Sequence, residues 1–170
     1  MKQLGKVLIW IIILGAILFG VYAFVPEYPH NFMKSFVQPV VDARAKELIT
    51  SVQNLTNSDV NNATYKEILE KHTSMRYWVY ETRETEPGVE YVIFGGKGAS
   101  INLKDYTDYD GLLSTSAFVK FEFKITGNNV DIYPYIDGKP MHINDARHAE
   151  TNKKIRLDIL SQLYGGFRED

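Results

Sequence analysis

Residues 7–25, VLIWIIILGAILFGVYAFV, run for nineteen positions without a charge. At about 1.5 Å per residue such a segment makes a helix of about 28 Å, close to the thickness of the hydrocarbon layer of a bilayer. Thirteen of the nineteen are Leu, Ile, Val or Phe. At about 0.3 to 0.6 kcal/mol each they favour insertion by about 4 to 8 kcal/mol before the glycines and the ends take their share. A membrane-spanning helix is the expectation. Two fates are open at its end, because Val21 and Ala23 fit the small-residue positions of a signal-peptidase site, where cleavage would release a soluble domain. A cleavable signal has an apolar core of about 7 to 15 residues, shorter than this one, and Tyr22, Phe24 and Pro26 are bulky or rigid around the cut. The uncleaved, single-span anchor is therefore the preferred reading. Lys2 and Lys6 precede the span and Glu27 is the first charge after it, which keeps the N-terminus cytoplasmic and the rest outside.

This divides the chain into a cytoplasmic stub (1–6), an anchor (7–25), a linker punctuated by Pro26 and Pro29 (26–35) and an extracytoplasmic domain (36–170). About 140 residues suffice for one domain with a real core and are too few for two comfortable ones. All 21 acidic residues but only 17 of the 19 Lys and Arg lie beyond the span, so the outer part carries a net charge near −4. The charges are interspersed and form no basic stripe, which argues against a nucleic-acid partner. Cysteine is absent, excluding a disulfide scaffold, thiolate chemistry and cysteine metal sites, and fitting a bacterial envelope better than a disulfide-rich extracellular setting.

Beyond the linker the apolar period is first helical. Phe36, Val37, Val40, Val41, Ala45, Leu48, Ile49 and Val52 recur in steps of mostly three and four, predicting one helix over residues 38–55, with a shorter one over 64–72. The period then drops to two. Met75, Tyr77 and Val79 are read as inward, a Glu86-Pro87-Gly88 turn follows, and Val89, Tyr91 and Ile93 resume the alternation. Val119, Phe121, Phe123 and Ile125 share a face opposite Lys120, Glu122 and Lys124, before a Gly127-Asn128-Asn129 turn and a strand with Val130, Ile132 and Ile136. Asp137-Gly138 suits a two-residue hairpin turn, and residues 149–163 return to helical spacing. The fold class is α+β, with an N-terminal transmembrane helix and then helices packed on an antiparallel meander sheet. By analogy of outline alone, this is similar to nuclear-transport-factor-like and cystatin-like domains.

Several stretches resemble chemical sites and fail on spacing. The glycines at 95, 96 and 98 around Lys97 lack the interval of a phosphate loop and are read as a hairpin or bulge. Asp105, Asp108 and Asp110 with Gly111 suggest a calcium loop, but in that register Tyr106 and Ala117 occupy the first and the bidentate ligand positions. His142, Asp145, His148 and Glu150 include zinc-type ligands, yet helical steps of three and six spread the histidines over about a third of the circumference. These remain weak metal candidates, and no cofactor is expected.

No serine, histidine and acid set has a recognisable setting, so the domain is read as non-enzymatic. Trp78, Tyr80, Tyr133 and Tyr135 alternate with the expected core sets and are read as an exposed aromatic patch for a protein contact. The functional expectation is a membrane-anchored, extracytoplasmic protein-binding domain of an envelope, secretion or transfer assembly, whose partners are the bilayer and another protein. The sequence also admits an oligomer, a small-ligand or enzymatic pocket domain on the same anchor, and a calcium-stabilised surface module.

Overall fold

The computed structural model describes residues 28–106 and 112–166. The expected anchor, Asp108 and Asp110 lie outside the described residues, among which no helix is long and apolar enough to cross a membrane.

Where the sequence reading has a linker to residue 35 and then one helix, there are two helices: α1 (Tyr28–Val41) and α2 (Ala43–Asn54). Asp42 makes the break. Its backbone is extended (φ −125°, ψ 104°), and its side chain accepts a hydrogen bond from the Ala45 amide, supplying a partner to a donor at the start of α2. Pro39, near the C-terminal end of α1, has already removed one helical donor. The apolar period runs through Asp42 uninterrupted, so periodicity alone does not show the break.

A two-residue pair, β1 (Thr56–Asn57) with β2 (Ala63–Thr64), leads into α3 (Tyr65–Lys71). Thr64 and Glu67 close a reciprocal capping box at its start, each side chain accepting from the other's backbone amide. The meander follows: β3 (Ser74–Thr82), β4 (Glu90–Leu103), β5 (Leu112–Thr126), β6 (Asn129–Ile136) and β7 (Lys139–Pro140), antiparallel and in sequence order. Asp137 and Gly138 both take positive φ (50° and 81°) between β6 and β7, as a tight two-residue turn demands. A 3-10 turn (Ala146–His148) and α4 (Ala149–Gly165) complete the described chain.

The main core lies between one sheet face and α2, α3 and α4. Phe94, Phe121, Phe123, Ile136, Ile155 and Leu160 are fully buried there, each contributing about 1.5–3 kcal/mol by leaving water. Trp78 belongs to this core, stacked near Phe94 and Phe123 with its indole N–H donating to Glu70 Oε1 at 2.9 Å. The sequence reading put Tyr77 and Val79 inward instead. Both rows of β3 are apolar, because the opposite face carries its own smaller cluster of Tyr77, Val79, Tyr91 and Ile93, with Phe32 of α1, Val89 and Phe118 packed against it.

Three side-chain amides tie the helices and loops to neighbouring backbone in the same way. Gln38 of α1 donates to the Tyr80 carbonyl (2.6 Å) and accepts from the Tyr80 amide (2.8 Å), occupying the outer edge of β3. Gln162 of α4 does this to Asn102 (2.9 and 2.7 Å), beyond the point where β3 stops pairing with β4. Asn152 of α4 does it to Ile143 (2.8 and 2.9 Å). Each amide offers one donor and one acceptor in the spacing of a peptide unit, so the two glutamines stand in for a missing strand partner and Asn152 satisfies the loop backbone at Ile143.

Candidate functional site

The four aromatics of the expected patch do not share a face. Trp78 is buried in the main core, and Tyr80 packs against that core with its hydroxyl donating to Glu90 at 3.0 Å. Tyr133 and Tyr135 lie on the other face of the sheet, opposite Glu122 and Lys120 of β5 respectively.

That outer face has two halves. Over β3 and β4 it is apolar and partly covered by Phe32 of α1. Gly95 sits beneath the Tyr77 ring there, and a Cβ at Gly95 would stand 2.3 Å from it, so only glycine lets the ring lie flat on β4. Over β5 and β6 the face is charged and aromatic. Its centre is Glu122, only 6% exposed. One carboxylate oxygen faces Arg83 Nη2 (3.1 Å) and Lys120 Nζ (3.2 Å), and the other accepts from the Tyr135 hydroxyl (3.4 Å). A buried carboxylate without such partners would be strongly unfavourable, so these neighbours fix one another's positions.

A second set borders the first. Tyr91 donates to Glu86, which accepts from Lys124 Nζ at 2.6 Å, and the Arg83 guanidinium lies 3.9 Å from the centroid of the Tyr91 ring. Lys120 Nζ sits 4.3 Å from the centroid of Tyr135, and the His142 ring meets Tyr133 at a tilt (4.9 Å between centroids) and Tyr135 edge-on (5.6 Å). Cations over tyrosine faces gain from the ring quadrupole while remaining near the surface.

The electrostatics follow from this packing. Burial opposes the charge on Arg83, but hydrogen bonds to Glu122 and Glu81 outweigh it and raise its pKa above the ordinary value. Tyr135 is pushed up to about 12, first by burial and then by the Glu122 charge, so it stays a donor at neutral pH. Lys124 and then Tyr91 hold Glu86 below the usual carboxylate range. Burial lowers His142, with Glu122 pulling the other way.

The remaining sequence candidates are dispersed. Among the described residues no three His, Asp or Glu side chains gather closely enough to hold a metal ion. Asp145 caps the 3-10 turn and pairs with Arg147, and His148 sits at the start of α4, apart from the tyrosine pair that holds His142. Asp105, alone of the calcium candidates, is described, and it is exposed. The glycines after Phe94 form an irregular stretch of β4, with register shifts on either side of Ala99 and Gly98 at φ 91°. Sequence reasoning missed Arg83, Tyr91 and Glu86 as members of the face. Its one signal was the alternation Lys120, Glu122, Lys124 in β5, which marks the row pointing away from the core.

Comparison with protein-family models, with curated proteins and with solved structures finds no match.

Proposed function

We propose that this chain is a single-span, membrane-anchored protein whose extracytoplasmic α+β domain binds another protein through the β5–β6 half of its outer sheet face. The anchor is argued from the uncharged residues 7–25 and the flanking charges. One observation carries the binding face: Arg83, Tyr133 and Tyr135 gather around Glu122, while Phe32 of α1 packs on the β3–β4 side of that face. Tyrosine and arginine are enriched in protein interfaces because they bury a large apolar body and still satisfy a polar tip. Here they are held in place beforehand, which lowers the ordering cost of binding. An envelope assembly remains the setting that fits an anchored domain without cysteine.

The test is a photo-crosslinking amino acid at Tyr133 of the full-length protein in its native membranes. A discrete adduct at Tyr133, absent with the same residue at exposed Lys66 on α3, supports the reading. Equal labelling at both positions, or none, refutes it.

A second reading, a small-ligand site, is favoured by one groove. About 440 Å³ opens between α1, α2 and β3, lined by Phe36, Pro39, Ile49 and Trp78 with Lys46 and Arg76 at hand. Ser35, Thr50, Gln53 and Glu70 also line it, and this mixture of apolar and polar walls suits a small amphiphile. Saturable binding of a fluorescent fatty acid that Ile49→Lys abolishes would support it, and the absence of saturable binding would remove it.

A further inference from the structure

Five large apolar side chains on α1 face solvent: Met33 (57% exposed), Phe36 (62%), Val37 (55%), Val40 (82%) and Val41 (75%). At about 100° per residue they form one stripe about 140° wide. The opposite side of the helix is fixed to the domain. Phe32 packs into the outer-face cluster, and Gln38 holds both backbone groups of Tyr80. Phe36, at one edge of the stripe, borders the groove toward β3 and meets the Phe32 ring edge-on, while Val37, Val40 and Val41 are aimed away from the sheet, and the helix cannot turn them inward without breaking both attachments. A continuous apolar strip of this kind marks a surface that is covered in use.

We infer that the cover is the bilayer itself, with α1 lying along the membrane surface and its stripe sunk into the boundary between headgroups and acyl chains. Position in the chain argues for lipid. The uncharged segment ends at Val25 and α1 begins at Tyr28, and three residue steps reach no more than about 11 Å. The inference thus rests on the proposed anchor and specifies how the domain sits on it. Pro26 lies between the two segments, and Pro29 falls in the first turn of α1, where a helix tolerates it. Proline removes a backbone donor and disfavours helix at the residue before it, so the axis of α1 is released from the direction of the span. Charge agrees: α1 contains no Asp or Glu and carries Lys34, so an anionic surface meets no repulsion from the helix although the domain as a whole is acidic.

The experiment exploits the absence of cysteine. Val40→Cys on the stripe and Ser161→Cys on the exposed side of α4 are each made in the full-length chain and labelled with a polarity-sensitive fluorophore. The protein is reconstituted in phosphatidylcholine–phosphatidylglycerol vesicles with and without brominated acyl chains. The expected result is quenching by brominated lipid of about twofold or more at position 40, with little change at position 161. Val41→Cys repeats the measurement should the first label disturb the helix. A probe at 40 and 41 that is quenched by aqueous iodide and untouched by brominated lipid overturns the inference. So does efficient bismaleimide joining of two Val40→Cys chains, which would make a second copy the cover. Flotation of the same vesicles separates the two layers of argument. Protein that floats without lipid quenching refutes the surface-lying helix alone, and protein that fails to float refutes the anchor with it.

Discussion

Gln162→Glu replaces a single amino group by an oxygen, and the position of that group makes the change costly. In the native chain Gln162 Nε2 donates to the Asn102 carbonyl at 2.9 Å while Oε1 accepts from the Asn102 amide at 2.7 Å. A glutamate keeps the second bond and turns the first into two oxygens facing each other. Losing a bond costs about 0.5–1.5 kcal/mol, and leaving a half-buried carbonyl unpaired adds about 1–3 kcal/mol. A loss near about 3 kcal/mol follows, equivalent to a fall of about 6–12 °C in melting temperature for a domain of this size. The negative charge also lies near the C-terminal end of α4, where the helix dipole disfavours it by about 0.3–1 kcal/mol. Ser161→Glu, next in the chain and exposed, measures that part separately. The variant carries its own pH signature. A protonated carboxyl can donate to Asn102, so folding raises the new group's pKa. The deficit is then small below about pH 4.3, where the unfolded chain is protonated as well, and opens as pH rises through the folded pKa. Thermal unfolding of the full-length protein followed by circular dichroism at pH 4 and pH 7 is the assay. An equal deficit at both values, or a loss no larger than that of Ser161→Glu, would refute the reasoning.

Gly95→Ala drives a methyl into the buried Tyr77 ring and is expected to cost about 1–3 kcal/mol by chemical denaturation, with Tyr77→Leu in the same chain recovering part of it. Asp42→Ala removes the acceptor for the Ala45 amide and is expected to lower stability by about 1 kcal/mol, read from the denaturation midpoint. His142 titrates below its ordinary value of 6.5 because of burial. The unfolded chain therefore binds its proton first as pH falls, so this contribution is complete above 6.5 and is lost as pH drops through the lower folded value. His142→Phe keeps a ring between Tyr133 and Tyr135, and a plot of stability against pH is expected to flatten in that window while the carboxylate region below it is unchanged.

The parts of the fold that rest on local rules were legible. The short helix after Thr64, the Asp137-Gly138 turn, the β5 alternation and the terminal helix each depend on residues a few positions apart. The failures have specific physical origins. In β3 a period of two cannot choose a face when both rows are apolar, and the deciding fact, Phe32 of α1 resting on the Tyr77 side, comes from more than forty positions upstream. The helix break at Asp42 hides inside an unbroken apolar period because the residues on either side serve different surfaces. The two glutamine attachments join residues 42 and 60 positions apart and leave no local mark, since a glutamine on a helix is otherwise an ordinary surface residue. Of the outer face, the charged row of β5 was visible, but the arrival of Arg83 and Glu86 from the loop after β3 depends on how the sheet closes.

The hold of Gln38 on β3 also decides what happens if α1 is lost. β3 is the first strand of the sheet, and its outer side is a ledge of backbone donors and acceptors that any extended peptide could extend. With the helix in place that ledge is stoppered at Tyr80. A protease nick between the two N-terminal helices would pull the stopper and bare the greasy Tyr77 and Val79 row beside it. Shed fragments of this domain would then be free to pair strand to strand along an edge that α1 blocks at Tyr80 in the intact chain.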